Sequence, residues 1–311
     1  IVLVVFPAGI LAHRYAYPLQ VSPTTRVFEL VGRAPEAGGW SPEVIKVNRG
    51  DTVRLHLTSH DVVHGFAIGK LGIDTGPIRP GEVRTVEFVA DRPGRFTYYC
   101  NVWCSPHHPR MRGTLEVSDP LGGAPEADEV PAPDFSRLDL DGPHEGEHYP
   151  APRPSISRGR AILSQAGAEE VGFDLWRQSP SDVFAALRAA DYMASLSDDE
   201  IWDLVAYLHL GHSGHERLAV GEALYAKNCL ACHGESGRGD GPGSRYVEAE
   251  MPDFSDRQAM AGASSELLYA KVRRGGMGTG MPYWGTVFTE DETKSVVDYL
   301  WTFMYEYEDT W

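Results

Sequence analysis

The chain has 311 residues, which is enough for about two domains of ordinary size. Hydrophobic residues make up 42% of it, charged residues 23% and aromatic residues 10%, so a wholly disordered or fibrous chain is excluded. The 44 acidic side chains outnumber the 28 basic ones and give a net charge of −16. This charge argues against nucleic acid as a partner, because nucleic-acid binding depends on neutralising phosphates.

The N-terminal segment is the one part of the sequence that looks suited to a membrane. Residues 1–12 are apolar apart from one Gly and one Pro, and His13 and Arg14 follow. A spanning helix needs about 20 apolar residues, so we interpret residues 1–19 as the outer part of a transmembrane helix. The alternative is the end of a secretory signal. Both interpretations place the globular part on the periplasmic, extracytoplasmic side of a membrane.

Residues 24–118 have the pattern of a β-sandwich. Short segments of alternating apolar residues are separated by Gly- and Pro-containing turn signals, as expected for strands joined by tight turns. The next segment, 119–155, is rich in Pro and carries nine acids and one arginine by residue 150. It shows no periodicity, and we predict a solvated acidic linker.

From residue 156 onward the apolar periodicity is helical, which predicts all-α domains. Two of the helices begin at capping-box signatures, Ser197–Glu200 and Thr289–Glu292. The residues around these caps align with each other, and upstream Gly159-Arg-Ala-Ile-Leu aligns with Gly221-Glu-Ala-Leu-Tyr. This order indicates an internal duplication; the alternative is chance similarity between amphipathic helices.

A first group of candidate metal ligands lies in the β-rich region. Cys100, Cys104, His108 and Met111 fall within twelve residues, and His64 lies upstream. Thiolate, imidazole and thioether together are the ligand set that suits copper. A mononuclear blue-copper site needs one Cys, whereas two thiolates can bridge two copper ions. A disulfide would explain neither the Met nor the His residues, and a zinc site would not need Met.

With the motifs Asp61-Val-Val-His-Gly-Phe, Pro80-Gly-Glu-Val and Arg92-Pro-Gly, residues 24–118 resemble the cupredoxin-like CuA domain of cytochrome oxidase subunit II, closest to the B-type branch. The resemblance implies a dinuclear copper CuA centre. In this resemblance, Cys100 and Cys104 would supply the two bridging thiolates, and His64 and His108 the two terminal imidazoles. Met111 would be a weak axial ligand, and Val102 would contribute its backbone carbonyl.

A second group of ligands has the sequence of a c-type haem attachment site, Cys229-Leu-Ala-Cys232-His233. A Gly-rich stretch follows it, and Met281-Pro282 lies about fifty residues further on. Residues 217–306 resemble a class I cytochrome c, which implies one covalent haem c on both thiols, with His233 as proximal ligand and Met281 as distal ligand. Met277 is the alternative distal ligand. His/Met ligation raises the haem potential.

The segment between these domains, 156–212, is predicted to be a degenerate cytochrome c-like repeat without covalent haem. Gly167 falls where Cys229 stands in the other repeat, and the segment has no CxxCH motif. Met193 is a core residue or a relic of the axial position. A noncovalent second haem is the alternative.

These resemblances imply the electron-accepting subunit of a haem-copper terminal oxidase, a subunit II fused to a cytochrome c. Electrons would pass from haem c to CuA and on to the catalytic membrane subunit I, where oxygen is reduced. The donor would be a cytochrome, a cupredoxin or a quinol-oxidising complex. No residue set for bond-making catalysis is visible, so we expect no catalytic residue in this chain. The alternatives are a subunit of a CuA-containing nitric oxide reductase and a free-standing membrane-tethered electron carrier.

Overall fold

The computed structural model describes residues 24–120, 135–166, 172–276 and 279–307. The anchor predicted at 1–19, together with Gly167 and Met277, lies outside the described residues. Within the described ranges, no helix has the length and apolarity that crossing a membrane requires.

The first domain is a sandwich of two β-sheets, as predicted. Its strands are β1 (Thr25–Gly32), β2 (Trp40–Ser41), β3 (Val44–Asn48), β4 (Thr52–Ser59), β5 (His64–Ile68), β6 (Ile73–Ile78), β7 (Val83–Val89), β8 (Gly94–Tyr99) and β9 (Arg112–Ser118). One sheet has the order β2-β1-β4-β7 and the other β3-β9-β8-β5-β6. Alternating side chains from both sheets, such as Leu30, Leu55 and Phe96, are buried between them.

This topology brings the predicted copper ligands to one end of the second sheet. Strand β5 begins at His64, strand β8 ends one residue before Cys100, and β9 begins directly after Met111. Because β5, β8 and β9 are neighbours in that sheet, the residues at these strand ends lie together although 47 positions separate His64 from Met111 in the sequence.

The second half of the chain is helical. Its helices are α1 (Ile156–Ala166), α2 (Pro180–Arg188), α3 (Asp198–Leu210), α4 (His215–Asn228), α5 (Leu230–His233), α6 (Arg257–Gly262), α7 (Ser265–Arg274) and α8 (Glu290–Met304). Both predicted capping boxes are formed, with the Ser197 and Thr289 hydroxyls each accepting a bond from the backbone amide three residues on.

Two helix pairs, α1 with α3 and α4 with α8, cross at equivalent glycines. A Cβ added at Gly159 would collide with the Asp203 carbonyl, and one added at Gly221 would collide with the Ser295 carbonyl. Asp203 and Ser295 occupy the same position in the two aligned segments. The shared close approach supports the internal duplication, since chance similarity would not reproduce the same glycine contact.

The two helical repeats share one hydrophobic core. Met193 is 2% exposed and belongs to that core together with Leu187, Met260 and Trp301. Of the two roles considered for Met193, the packing supports the core role.

The described end of the acidic segment, 135–155, differs from the solvated linker that its composition predicts. Leu140 is buried in the helical core, Phe135 packs on the Tyr269 ring, and the Gly146 amide donates to the Gln258 carbonyl at 2.9 Å. The difference arises because a few apolar side chains among the acids can be buried while the acids stay in water.

A buried histidine gives the helical core a pH dependence. His209 is 6% exposed, its ring lies at 34° to the Trp301 ring with centroids 5.7 Å apart, and neither of its ring nitrogens has a hydrogen-bond partner among the described residues. Burial, with a smaller contribution from His212, lowers the pKa of His209 to about 3. The folded state therefore binds fewer protons than the unfolded state, in which a histidine titrates near pH 6.5.

We predict that the free energy of unfolding decreases as the pH falls below about 6.5. His209 should contribute about 1.4 kcal/mol of this decrease per pH unit. His209→Leu should flatten the pH dependence measured by chemical denaturation between pH 7 and pH 5. An unchanged slope in His209→Leu would contradict the assignment.

Candidate copper and haem sites

The predicted copper ligands form one cluster. The ligand atoms of His64, Cys100 and Cys104 all lie within 4.8 Å of one another. Cys100 Sγ lies 3.9 Å from His64 Nδ1, and Cys104 Sγ lies 3.5 Å from His108 Nδ1 and 3.8 Å from Met111 Sδ. Each sulfur thus has its own imidazole, as a pair of bridged ions would need.

The backbone around Cys100 completes the cluster. The Val102 carbonyl oxygen lies 3.1 Å from Cys100 Sγ, and the Gly65 amide donates to the same sulfur at 3.3 Å. Gly65 is required because a Cβ at that position would collide with Asn101. Val102, the last of the six predicted copper ligands, therefore also lies at the cluster.

The two thiols are free and electrostatically coupled. Burial opposes ionisation of Cys100, but hydrogen bonds with Cys104, His108 and His64 outweigh it and lower the pKa of the Cys100 thiol well below its usual range. The bond to Cys100, together with burial, raises the pKa of Cys104. Two adjacent cysteine sulfurs of this kind suit a soft cation, which would gain both of them as ligands.

Asp61 orients the His64 ring, which is fully buried. His64 Nε2 lies 2.7 Å from Asp61 Oδ1, which leaves Nδ1 directed at Cys100. The Asp61 carboxylate is itself fixed, because it accepts the Ala34 amide at 2.6 Å. Partners of this kind hold a ligating imidazole in the required tautomer. Sequence reasoning did not select Asp61, although its place three residues before a candidate ligand was visible.

The haem-attachment sequence begins at the end of α4 and continues through α5. The Gly-rich loop that follows folds back onto it: Gly239 donates to the His233 carbonyl at 2.9 Å and Gly243 to the Ala231 carbonyl at 2.7 Å. Gly237 and Gly239 have φ of +70° and +74°, which side chains other than glycine rarely adopt. The loop therefore needs its glycines for its conformation.

These residues open onto a cavity of about 850 Å³, near the upper end of the ~300–1,000 Å³ found for ligand and cofactor sites. Cys229, Cys232, His233 and Met281 all line it. Burial lowers the pKa of His233 to about 4, so the imidazole is neutral, as an iron ligand must be. The Nδ1 atom of the same ring has no partner among the described atoms. Cavity and donors fit a covalently attached haem.

Other residues of the cavity wall were missed by sequence reasoning. His144, from the acidic segment, lines the cavity with a buried Nε2 atom that has no partner. Lys271 and Arg274 line it from α7, and Arg274 pairs with Asp141 at 2.5 Å. These cations could pair with the carboxylates of a haem. No local motif marks them, because they are brought together only by the fold.

The copper cluster forms one wall of the same cavity. Cys100, His108 and Met111 line it together with the haem-attachment cysteines. The helical domain thus contacts the sandwich at the copper cluster.

Polar and aromatic contacts hold the two domains in this position. Arg112 donates to the Tyr283 carbonyl at 2.9 Å and its guanidinium lies 5.1 Å from the centre of the Trp284 ring. The Tyr99 ring packs edge-on against Trp284, with ring centroids 6.3 Å apart. At the margin, Lys227 pairs with Asp74 at 2.6 Å.

Comparison with known families agrees with both halves. Residues 42–117 match the family described as cytochrome c oxidase subunit II, periplasmic domain, and residues 216–300 match cytochrome c oxidase, cbb3-type, subunit III. Each match covers about a quarter of the chain, which is therefore similar to one oxidase subunit over its sandwich and to another over its haem-motif region. The first match confirms the family resemblance of the sandwich, and the second that of the haem-motif region.

Individual relatives cover only part of the chain. A cytochrome c oxidase subunit 2 of Thermus thermophilus is 37% identical over 83 residues, which are 27% of this chain and 61% of that protein. A nitrous-oxide reductase of Ralstonia nicotianae is 38% identical over 86 residues, 26% of this chain and 13% of that one. The periplasmic domain of subunit II from Bradyrhizobium japonicum, with 19% identity, superposes on 30% of this chain and 84% of its own length with a TM-score of 0.27.

We predict that Asp61→Ala lowers copper affinity by about 10–100-fold, because the His64 ring loses the partner that orients it. Competition between the purified chain and a copper chelator measures this. Asp91→Ala is the control, since that carboxylate is 74% exposed on the same sandwich. Equal affinities in the two variants would show that Asp61 does not position the ligand.

Proposed function

We propose that the chain is the electron-accepting subunit of a haem-copper terminal oxidase. Electrons arrive at the cytochrome c domain, pass to the copper cluster, and leave for a catalytic membrane subunit that reduces oxygen. The observation that supports this order is the shared cavity, in which Cys229 and Cys232 face the wall that contains Cys100 and His108.

In this proposal the six residues of the copper cluster hold a dinuclear CuA centre, and Cys229, Cys232, His233 and Met281 hold one haem c. Both groups supply one-electron chemistry when bound. The chain itself positions the ligands: Asp61 holds the His64 ring, and burial lowers the pKa of His233, so that this imidazole is neutral. None of these residues makes or breaks a substrate bond.

The position of the sandwich next to the predicted N-terminal anchor supports transfer from CuA to a membrane partner. The cytochrome domain follows it in the chain, so we expect an external donor to meet this domain first. The donor is a soluble or membrane-bound protein that gives up one electron at a time.

The nitrous-oxide reductase match covers 13% of that enzyme, so it supports a related domain and not a shared activity.

Purification distinguishes the two alternative functions from the proposed one. A nitric oxide reductase subunit would co-purify with a partner that consumes nitric oxide in place of oxygen. A free-standing carrier would purify without a haem-copper subunit.

The order of transfer is tested by removing the haem. Cys229→Ala with Cys232→Ala should abolish covalent haem and leave two coppers per chain, because the copper ligands lie on another domain. In stopped-flow mixing with a reduced soluble c-type cytochrome, we expect the wild-type haem to be reduced before the copper absorption fades. Copper reduction in the double variant should slow by about tenfold or more, since the donor loses its acceptor.

Copper content and the shared-valence EPR signal provide the control for that variant. If copper in the haem-free chain is reduced as fast as in wild type, the haem is not the first acceptor and the proposed order is wrong.

A further inference from the structure

Trp103 lies between the two sites and belongs to neither ligand set. It lies in the segment 100–111 that contains most of the predicted copper ligands, one residue before Cys104. Its ring packs on the His108 ring with centroids 5.6 Å apart. The same side chain lines the haem cavity. One face of the copper cluster is therefore covered by an indole that also reaches the other domain.

The far edge of the ring contacts the haem-attachment region closely. A Cβ added at Gly243 would lie 2.6 Å from Trp103 Cη2 and 2.8 Å from the Ala231 carbonyl oxygen. Gly243 donates its amide to that same carbonyl at 2.7 Å, and Ala231 lies between the two haem-attachment cysteines. Gly243 is thus where the indole and the attachment loop meet, and any larger residue would separate them.

We propose that Trp103 is the bridge through which an electron crosses from the cytochrome c domain to the copper cluster, an inference that rests on the proposed function. The contact chain runs from the Cys232 side of the attachment loop through Ala231 and Gly243 to Trp103 and His108. With both groups bound, one electron would leave the haem c held by Cys229 and Cys232 and would be accepted by the copper centre held by the cluster. No bond forms, no proton moves, and the indole is neither oxidised nor reduced overall.

A second contact between the domains supplies a rival route. Tyr99, next to Cys100 in the sequence, packs against Trp284, three residues after Met281. Tyr99 and Trp284 are buried in an apolar cluster that joins the domains, whereas Trp103 is half-buried and contacts a ligand ring directly. The direct contact favours Trp103 as the route and leaves the Tyr99–Trp284 contact as structural.

The test uses the full chain carrying haem and copper, with the haem reduced by a laser flash and the arrival of the electron at copper followed by absorption. In Trp103→Leu we expect the internal transfer rate to fall by about tenfold or more, because an aliphatic side chain leaves a gap beside Gly243. Tyr246→Leu is the matched control. It removes an exposed aromatic from the turn that follows Gly243 and should keep the wild-type rate.

Two further measurements distinguish a role of Trp103 in electron transfer from a purely structural role. The potentials of both centres and the copper EPR signal should be unchanged in Trp103→Leu, and Trp103→Phe should recover part of the rate. A wild-type rate in Trp103→Leu, or a loss of rate found only in Arg112→Ala, would place the route elsewhere and overturn the inference. If the flash-reduced wild-type haem never reduces copper, the proposed function itself fails.

Discussion

The structure depends on the contact between the cytochrome domain and residues 100–111 of the sandwich, which contain most of the predicted copper ligands. Arg112 is central to that contact, because it follows Met111 directly and reaches the Tyr283 carbonyl and the Trp284 ring of the other domain. Burial lowers the pKa of Arg112 to about 10, so the guanidinium stays charged at neutral pH. A half-buried cation held by a carbonyl and an aromatic face fixes orientation more strictly than apolar packing alone.

The two helical segments that we predict to be repeats support this contact between the domains. The first repeat shares a hydrophobic core with the second, and the described part of the acidic segment packs onto that core through Leu140. The repeat that lacks a haem-attachment sequence thus serves as a support for the one that has it. A domain attached only by a solvated linker would lack this support.

Sequence patterns predicted those features that are determined locally. The strand alternation, the capping boxes at Ser197 and Thr289, and the Cys100–Met111 and Cys229–His233 motifs depend on spacing within short segments, and the structure forms each of them. The arrangement of the two domains could not be predicted from the sequence, because its contacts are long-range. The hydrogen bond from Arg112 to Tyr283, for example, joins residues 171 positions apart. Composition also gave a wrong impression of residues 135–155, whose few apolar side chains determine their packing.

The proposed function requires that the copper cluster and the haem-attachment site are held in fixed contact. Pulsed EPR on the full oxidised chain measures it most directly, through the dipolar coupling between the ferric haem and the copper pair. A single narrow distance distribution, unchanged by viscosity or salt, is the predicted result. A broad distribution would contradict the claim, as expected for a domain on a flexible tether of about 35 residues, which spans on the order of 30–35 Å root-mean-square.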